Sequence, residues 1–262
     1  MNRSFLLVVT ISLSLTAFIL ADDNVRAVQA KLKADGFYFG EVNGVSSSDL
    51  SAALTRYQIR NGLQITGKLD GETSKALGFK AAATETAAEP APTSETWRNL
   101  RKGDRQFLSK INGRQSRTAV EATAPPVPAK TEDNSTFVLS QERVRDYIGA
   151  FVLAGLDAQV GAELEFFGDR VRYYNEGLIG REAIRRDLLR YDAHWPQRRF
   201  WLAGDVKVEP QADSRLRVSF PLRYDLRRGA KHSSGKIMKD LLLEVIGPDD
   251  LQIVSVNESK AR

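Results

Sequence analysis

The amino-acid sequence predicts an α+β protein with two folded parts, a small all-α module followed by a domain of helices and antiparallel strands. Three observations predict it. Residues 24–79 carry apolar side chains at helical spacing, in short runs that end at Gly or Asn-Gly. Residues 215–227 alternate between apolar and polar side chains, which is typical of a strand with one buried face. Residues 80–135 include two stretches rich in Ala, Thr, Glu and Pro and predict a linker.

Residues 1–21 are typical of a secretory signal peptide. A short basic start ends at Arg3, an apolar run extends from Phe5 to Leu20, and the small Ala21 precedes two aspartates. The run is shorter than the ~20 residues that a transmembrane helix prefers. We therefore expect a periplasmic or otherwise extracytoplasmic protein. An uncleaved membrane anchor is the alternative, because Ile19 is bulkier than the residue preferred near a cleavage site.

The composition excludes several kinds of site. The chain has no cysteine, so disulfides, thiol catalysis and cysteine-based zinc sites are ruled out. It has two histidines, too few for a histidine-rich metal site, and we predict neither a metal nor a cofactor. The net charge of +5 favours polyanions in general without selecting one. Export argues against nucleic acid as the partner.

Three short helices account for residues 22–79. Asn24 is placed to cap the first helix, which Gly36 ends. The second helix begins near Asp49, and Asp70 caps a third that Gly78 ends. Helices this short enclose a very small core.

The order and spacing of these residues resemble the three-helix peptidoglycan-binding domain that is often attached to cell-wall hydrolases. The resemblance extends over the whole module and is carried by Val28-Gln29, Leu32, Gly36-Phe37-Tyr38, Gly40, Val42-Asn43-Gly44, Ala53-Leu54, Tyr57-Gln58, Gly62-Leu63, Thr66-Gly67, Leu69-Asp70, Thr73 and Leu77-Gly78. One loop departs from the family pattern. Asn43 stands where the family usually has Asp, and residues 45–48 replace an aromatic–glycine pair, so a carboxylate that could contact ligand or brace the loop is missing.

The resemblance implies that the module binds peptidoglycan. This polymer offers sugar hydroxyls, amides and terminal carboxylates, which aromatic faces and amide side chains can match. Two of the candidates have structural alternatives, because Tyr57 is in register with Leu54 and Gln58 could brace a backbone turn. The candidate contact residues are Tyr38, Asn43, Tyr57, Gln58 and Arg60.

Residues 97–118 form a basic segment within the linker. They hold seven basic side chains against Asp104 alone, and four apolar side chains are spaced loosely like one helix face. One hypothesis is an amphipathic segment in weak contact with anionic lipid or cell-wall polymer. The alternative, which we favour, is a solvated and partly helical linker.

Residues 136–262 predict two helices, a strand, a helix and then four strands. Ser140 caps the first helix and Asp157 starts the second. The remaining elements are a strand at 170–178, a helix at 181–195, and strands at 200–209, 215–227, 233–246 and 251–258. Within the clearest strand, Pro221 indicates a bulge or an unpaired edge.

This order resembles the nuclear-transport-factor-2-like (SnoaL-like) fold, a curved antiparallel sheet wrapped around helices as a cone, over residues 138–258. Tyr173-Tyr174-Asn175-Glu176-Gly177, Arg185-Arg186-Asp187 and His194-Trp195-Pro196 resemble a bacterial branch of this superfamily that is found beside envelope modules. The fold hosts enzymes, carriers and interaction domains, so it says little about activity.

The resemblance implies a pocket inside the cone. Its candidate residues are Tyr173, Tyr174, His194 and Trp201, with Asp157 and Glu163 as further polar side chains. No pair among them has a spacing that demands acid–base catalysis, and the sequence has no serine-nucleophile elbow, metal quartet or phosphate loop. We therefore predict no catalytic residues.

Four arginines fall on the polar face of the predicted strand 215–227. They are Arg215, Arg217, Arg223 and Arg227. They indicate either a surface for an anionic partner or a solvated face that blunts aggregation.

The sequence thus predicts an exported, non-catalytic cell-envelope protein. It would bind peptidoglycan through residues 22–79 and an envelope protein or small ligand through residues 136–262. The rival hypothesis is a small-molecule enzyme or carrier built on the cone and tethered to the cell wall. A third makes the first module purely structural, with the basic linker contacting membrane.

Overall fold

The computed structural model describes residues 22–79, 94–103, 140–157, 159–247 and 250–261. The predicted signal peptide lies outside these residues, as do most of the linker and the part of the basic segment from residue 104 to residue 118. Within the described ranges, no helix is both long enough and apolar enough to cross a membrane.

The three predicted helices of the first module are α1 (Asp23–Ala34), α2 (Ser48–Arg60) and α3 (Gly71–Ala76). Each begins at a side chain that accepts a hydrogen bond from a backbone N–H of the first turn, and these caps are Asp22, Ser47 and Asp70. The first cap is Asp22 rather than the predicted Asn24, whose own N–H donates to it. Apolar side chains from α1 and α2, together with Leu77 just after α3, form a small core in which Leu32, Ala53 and Leu54 are fully buried.

The second part confirms the predicted α+β class. Its elements are α4 (Ser94–Lys102), α5 (Gln141–Ala154), β1 (Phe167–Tyr173), β2 (Leu178–Gly180), α6 (Arg181–His194), β3 (Gln197–Leu202), β4 (Lys207–Gln211), β5 (Arg215–Arg228), β6 (Lys231–Val245) and β7 (Leu251–Lys260), with short 3₁₀ helices at Ala162–Phe166 and Tyr174–Glu176. The helix predicted from Asp157 is the first 3₁₀ helix, and the strand predicted at 200–209 is divided between β3 and β4.

The strands form one sheet in the order β2-β1-β7-β6-β5-β3, with β4 beside β3 on β5. The sheet is mixed rather than wholly antiparallel, because β1 and β7 pair in parallel. The direction of β7 is fixed by its antiparallel pairing with β6. β1 reaches β7 from a distant part of the chain, so no hairpin forces the two strands to run in opposite directions.

β5 shows the predicted alternation, with Val218 and Phe220 buried and Arg217 exposed. Pro221 lies where the partner of β5 changes from β3 to β4. Four residues, 203–206, separate those two strands at this point, so a proline without an N–H interrupts no continuous ladder there.

α4 corrects the linker prediction. Trp97 and Leu100 are 1% and 0% exposed, and α4 packs on α5. The Arg101 guanidinium forms an ion pair with Asp250 at 3.1 Å. The assignment of a solvated linker is therefore wrong for residues 94–102, because their apolar stripe is buried in the C-terminal domain.

Candidate functional site

The first module and the C-terminal domain are packed together, and α2 is the helix that they share. One side of α2 faces the module core through Leu50, Leu54 and Tyr57. The other side joins the core of the C-terminal domain through Ala52 and Ile59. The approach is close at Gly149 of α5, where an added Cβ would lie 2.3 Å from the Ile59 side chain.

Polar contacts complete this interface. The Arg56 guanidinium forms an ion pair with the Asp146 carboxylate at 3.0 Å, and the side chains are only 3% and 4% exposed. Arg60 of α2 also pairs with Glu142 of α5. The Ile65 N–H donates to the Phe200 carbonyl at 2.9 Å, so a short segment of the first module covers the edge strand β3.

Two buried glutamines hold the loops of the first module. The Gln29 amide oxygen accepts from the N–H groups of Asn43 and Gly44, and its NH₂ donates to the Val45 carbonyl at 2.9 Å. Gln58 does the same for the following loop, accepting from the Thr66 and Gly67 N–H groups. Because each amide uses both its donors and its acceptor, it fixes several backbone groups at once.

The Gln58 side chain is therefore a brace and not a ligand contact. It is 0% exposed, and its NH₂ also donates to the Lys68 carbonyl and the Thr73 hydroxyl. The alternative that sequence reasoning left open, a brace for a backbone turn, is the one that the structure shows.

Two of the other predicted peptidoglycan contacts are structural as well. Tyr38 and Tyr57 are 4% and 7% exposed, and their hydroxyls donate to the carbonyls of Glu41 and Ala76. The prediction that Tyr38 and Tyr57 contact the ligand is therefore corrected, because both side chains lie in the core of the module. The Arg60 guanidinium forms an ion pair with the Glu142 carboxylate. Asn43 and Arg60 are both exposed and remain predicted contacts, although the Asn43 side-chain oxygen also accepts from Gln29 and from the Val45 N–H.

Tyr173 and Tyr174 do lie together inside the second part, with ring centroids 4.6 Å apart. The Tyr173 hydroxyl donates to the Asp187 carboxylate at 3.0 Å, and burial raises the Tyr173 pKa, helped by Tyr174 and Asp187. The Tyr174 hydroxyl accepts from the Lys239 ammonium at 2.7 Å. Tyr174 also has a φ of 45°, a left-handed conformation that is costly for an aromatic residue and is often found at functional sites.

Next to them lies a buried polar cluster of Glu163, Asp192 and Arg198. Arg198 pairs with Asp192 and donates to the Gly155 carbonyl at 2.7 Å. Within the described residues, one carboxylate oxygen of Glu163, one of Asp192 and the Nε of Arg198 are buried without a hydrogen-bond partner. Such groups are rare in folded proteins, and a water molecule or a polar ligand could pair with them.

Sequence reasoning missed Arg198, although a signal was present. Side chains alternate along a strand, so residue 198 shares a face with Phe200 and the buried Leu202. A charged residue on an inward-facing position is expected to have a buried partner, which here is Asp192.

The other two predicted pocket residues are elsewhere. His194 is exposed at the end of α6, where its ring lies against Trp195. Trp201 is three positions from Arg198 along β3, and side chains alternate along a strand, so Trp201 lies on the opposite face. The Arg223 guanidinium lies 4.1 Å above its ring. The prediction of one pocket formed by all four residues is therefore wrong. Within the described ranges, no group of three or more His, Cys, Asp or Glu side chains is arranged to hold a metal ion.

Replacing Glu163 by Gln is expected to stabilise the protein at neutral pH. Burial raises the pKa of the Glu163 carboxyl, although its backbone and Arg198 counteract part of this. The folded protein thus binds this proton more tightly than the unfolded chain, so stability is lost as pH rises above the ordinary pKa of 4.5. Urea unfolding should show a higher free energy of unfolding for Glu163→Gln than for the wild type near neutral pH. This difference should disappear below pH 4.5, where the wild-type carboxyl is protonated.

The exposed Glu176 provides the control, since Glu176→Gln should leave stability unchanged at both pH values. A Glu163→Gln variant that is less stable than the wild type near neutral pH, and as stable as the wild type in acid, would show that the charge of Glu163 is a net stabilising partner of Arg198.

The first module is similar to a known family of domains. Residues 21–77 match the family model described as "Putative peptidoglycan binding domain". The first module thus has the family similarity that its sequence predicts. A search of curated proteins finds no match for this chain.

Solved structures are similar to the C-terminal part. Aln2 from a Streptomyces species is 14% identical, with 45% of this chain and 87% of that chain covered and a TM-score of 0.39. A nuclear transport factor 2 (NTF2-like) superfamily protein from Salmonella enterica serovar Typhimurium is 13% identical, with 47% and 89% covered and a TM-score of 0.37. A protein described as a "putative dehydratase from the NTF2-like family" from Streptomyces avermitilis is 12% identical, with 43% and 89% covered and a TM-score of 0.36.

Proposed function

We propose that this protein is an exported, non-catalytic component of the bacterial cell envelope that binds peptidoglycan through residues 22–79. The observation that carries the proposal is the family match of residues 21–77. The intact fold of the module supports it, with three capped helices and two loops braced by Gln29 and Gln58. Loops fixed before binding lose little conformational entropy on contact with a polymer.

The interface limits which surface can meet the polymer. The outer side of α2 and the segment that pairs with β3 are covered by the C-terminal domain. The exposed parts of the module include the outer face of α1, the loop around Asn43, the turn at Asn61-Gly62 and the surface around α3. The module and the C-terminal domain would therefore approach the cell wall as one body rather than as two units on a flexible tether.

Co-sedimentation with isolated cell-wall sacculi tests this function. The chain from Asp22 to Arg262 should sediment with sacculi at low salt and should remain in solution with cellulose, an insoluble polysaccharide that has no peptide. Failure to sediment with sacculi at low salt, by a protein whose circular dichroism shows it to be folded, would remove the proposed function.

A second candidate function, binding or conversion of a small molecule, is favoured by the cluster of Glu163, Asp192 and Arg198. Their unpartnered buried atoms could donate to and accept from a polar ligand in the interior. A library of small hydroxylated compounds, screened by NMR against the wild type and Glu163→Gln, tests this. Compounds that bind the wild type and not the variant would support it, and the absence of any such compound would count against it.

A further inference from the structure

A cleft of about 600 Å³ lies where the first module meets β3. Gln64 and Lys68 line it from the first module, and Gln197 and Arg199 line it from the C-terminal domain. Neither part forms the cleft alone. It exists because α2 and the segment before Thr66 are packed against the C-terminal domain.

The cleft has an excess of positive charge, with four basic and two acidic side chains in its lining. Two of the basic groups are neutralised by neighbours, since Arg227 pairs with Asp225 at 3.0 Å and Arg198 pairs with Asp192. The Asp157 carboxylate accepts hydrogen bonds from the Trp97 indole N–H at 2.7 Å and from the Ser94 hydroxyl at 3.1 Å, and these neutral donors leave its negative charge in place.

Four polar side chains of the lining have no ion-pair or hydrogen-bond partner among the described residues. In the part of the chain that the structure describes, the Lys68 ammonium and the Arg199 guanidinium have no ion-pair or hydrogen-bond partner. The side-chain amides of Gln64 and Gln197 have none either. The cleft thus offers two cations and two amides, with one of each from either part of the protein.

These groups match a peptide that carries a free carboxylate. Lys and Arg form strong, charge-assisted hydrogen bonds with anions such as carboxylates, and side-chain amides pair with peptide groups as both donor and acceptor. The lining described here has no aromatic side chain on which a sugar ring could stack. The chemistry therefore favours the peptide component of peptidoglycan over its glycan strand.

We propose that the cleft between the two parts binds the carboxylate-bearing peptide stems of peptidoglycan, with Lys68 and Arg199 as the residues that contact the carboxylate. The proposal rests on the proposed function. It also gives Gln58 a role, because Gln58 holds the backbone of residues 66–68 and so positions Lys68. Gln58 acts as a positioning residue and does not touch the ligand.

Isothermal titration of the chain from Asp22 with a soluble tetrapeptide stem tests the proposal. The stem with its carboxylates free should bind, and the same stem with every carboxylate converted to an amide should bind about tenfold more weakly. Lys68→Ala and Arg199→Ala should each weaken binding of the free acid about tenfold or more. Two exposed basic residues outside the lining serve as matched controls, and Lys207→Ala and Arg170→Ala should stay within about twofold of the wild type.

Several results would overturn the proposal. The first is unchanged stem binding by folded Lys68→Ala and Arg199→Ala proteins, and the second is equal binding of the amidated stem. A third is tighter binding of an unrelated peptide of the same length with a free carboxylate, which would assign the cleft to protein C-termini.

Sedimentation with sacculi separates this inference from the proposed function. If the wild type sediments but does not bind the soluble stem, the module binds the cell wall by another surface and the cleft proposal fails. If the stem binds through Lys68 and Arg199 while sacculi do not retain the protein, the cleft recognises the peptide and the proposed attachment to the wall fails.

Discussion

Replacing Arg56 by alanine should lower the free energy of unfolding by about 3–5 kcal/mol. Arg56 and Asp146 are buried between α2 and α5, with side chains only 3% and 4% exposed. The substitution leaves the Asp146 carboxylate buried without this counter-ion. Burial already raises the Asp146 pKa despite the attraction of Arg56. The loss, measured by urea unfolding, should be largest at neutral pH and smaller in acid, where the carboxyl can be protonated.

A double variant and a surface variant control this experiment. Arg56→Met combined with Asp146→Leu removes both charges and fills the space, so it should recover most of the lost stability. Arg26→Ala breaks an exposed ion pair with Asp23 and should cost no more than about 1 kcal/mol. A cost below about 1 kcal/mol for Arg56→Ala would mean that the two parts of the protein do not depend on this contact.

Replacing Trp97 by alanine should cost about 3–5 kcal/mol, the range for removal of a fully buried tryptophan. Trp97 is 1% exposed and packs on Phe166 with ring centroids 5.6 Å apart. Its indole N–H donates to Asp157, so truncation leaves both a cavity and a carboxylate with one donor fewer. Thermal or urea unfolding of the chain from Asp22 would measure the loss.

Asn99 provides the control on the same helix. It is exposed, and alanine favours helix more than asparagine does, so Asn99→Ala should leave stability unchanged or slightly higher. Equal stability of Trp97→Ala and the wild type would mean that the packing of α4 does not contribute to the free energy of unfolding. Residues 94–102 would then behave as the solvated linker that the composition predicts.

Local structure in this protein is determined mainly by local sequence. Asp70 and Ser140 begin helices because their side-chain oxygens can accept from N–H groups two or three residues later, which is a property of the adjacent chain. The strand over 215–228 follows from strict alternation, because only one side of an extended chain can face a core. The 3₁₀ helix at Ala162–Phe166 was less accurately predicted, since its apolar spacing also fits an α-helix.

The candidate sites were less predictable, because burial depends on what covers a side chain. Gln58 and Tyr57 have the chemistry of ligand contacts, and only the folded module shows that both are inside it. His194 and Trp201 are close in sequence to the interior residue Arg198, yet one lies at a helix end and the other on the opposite face of the sheet.

The sequence by itself determined the caps at Asp70 and Ser140, the strand alternation, the α+β class and the family similarity of residues 21–77, because each of these depends on neighbours along the chain. Only the tertiary structure decided that α2 serves two cores, that α4 belongs to the C-terminal domain and that β1 pairs with β7 in parallel. These features depend on which apolar surfaces meet, and the Arg56–Asp146 pair joins residues 90 positions apart. The cleft that holds Lys68 and Arg199 arises for the same reason, since it forms only where two distant parts of the chain pack together.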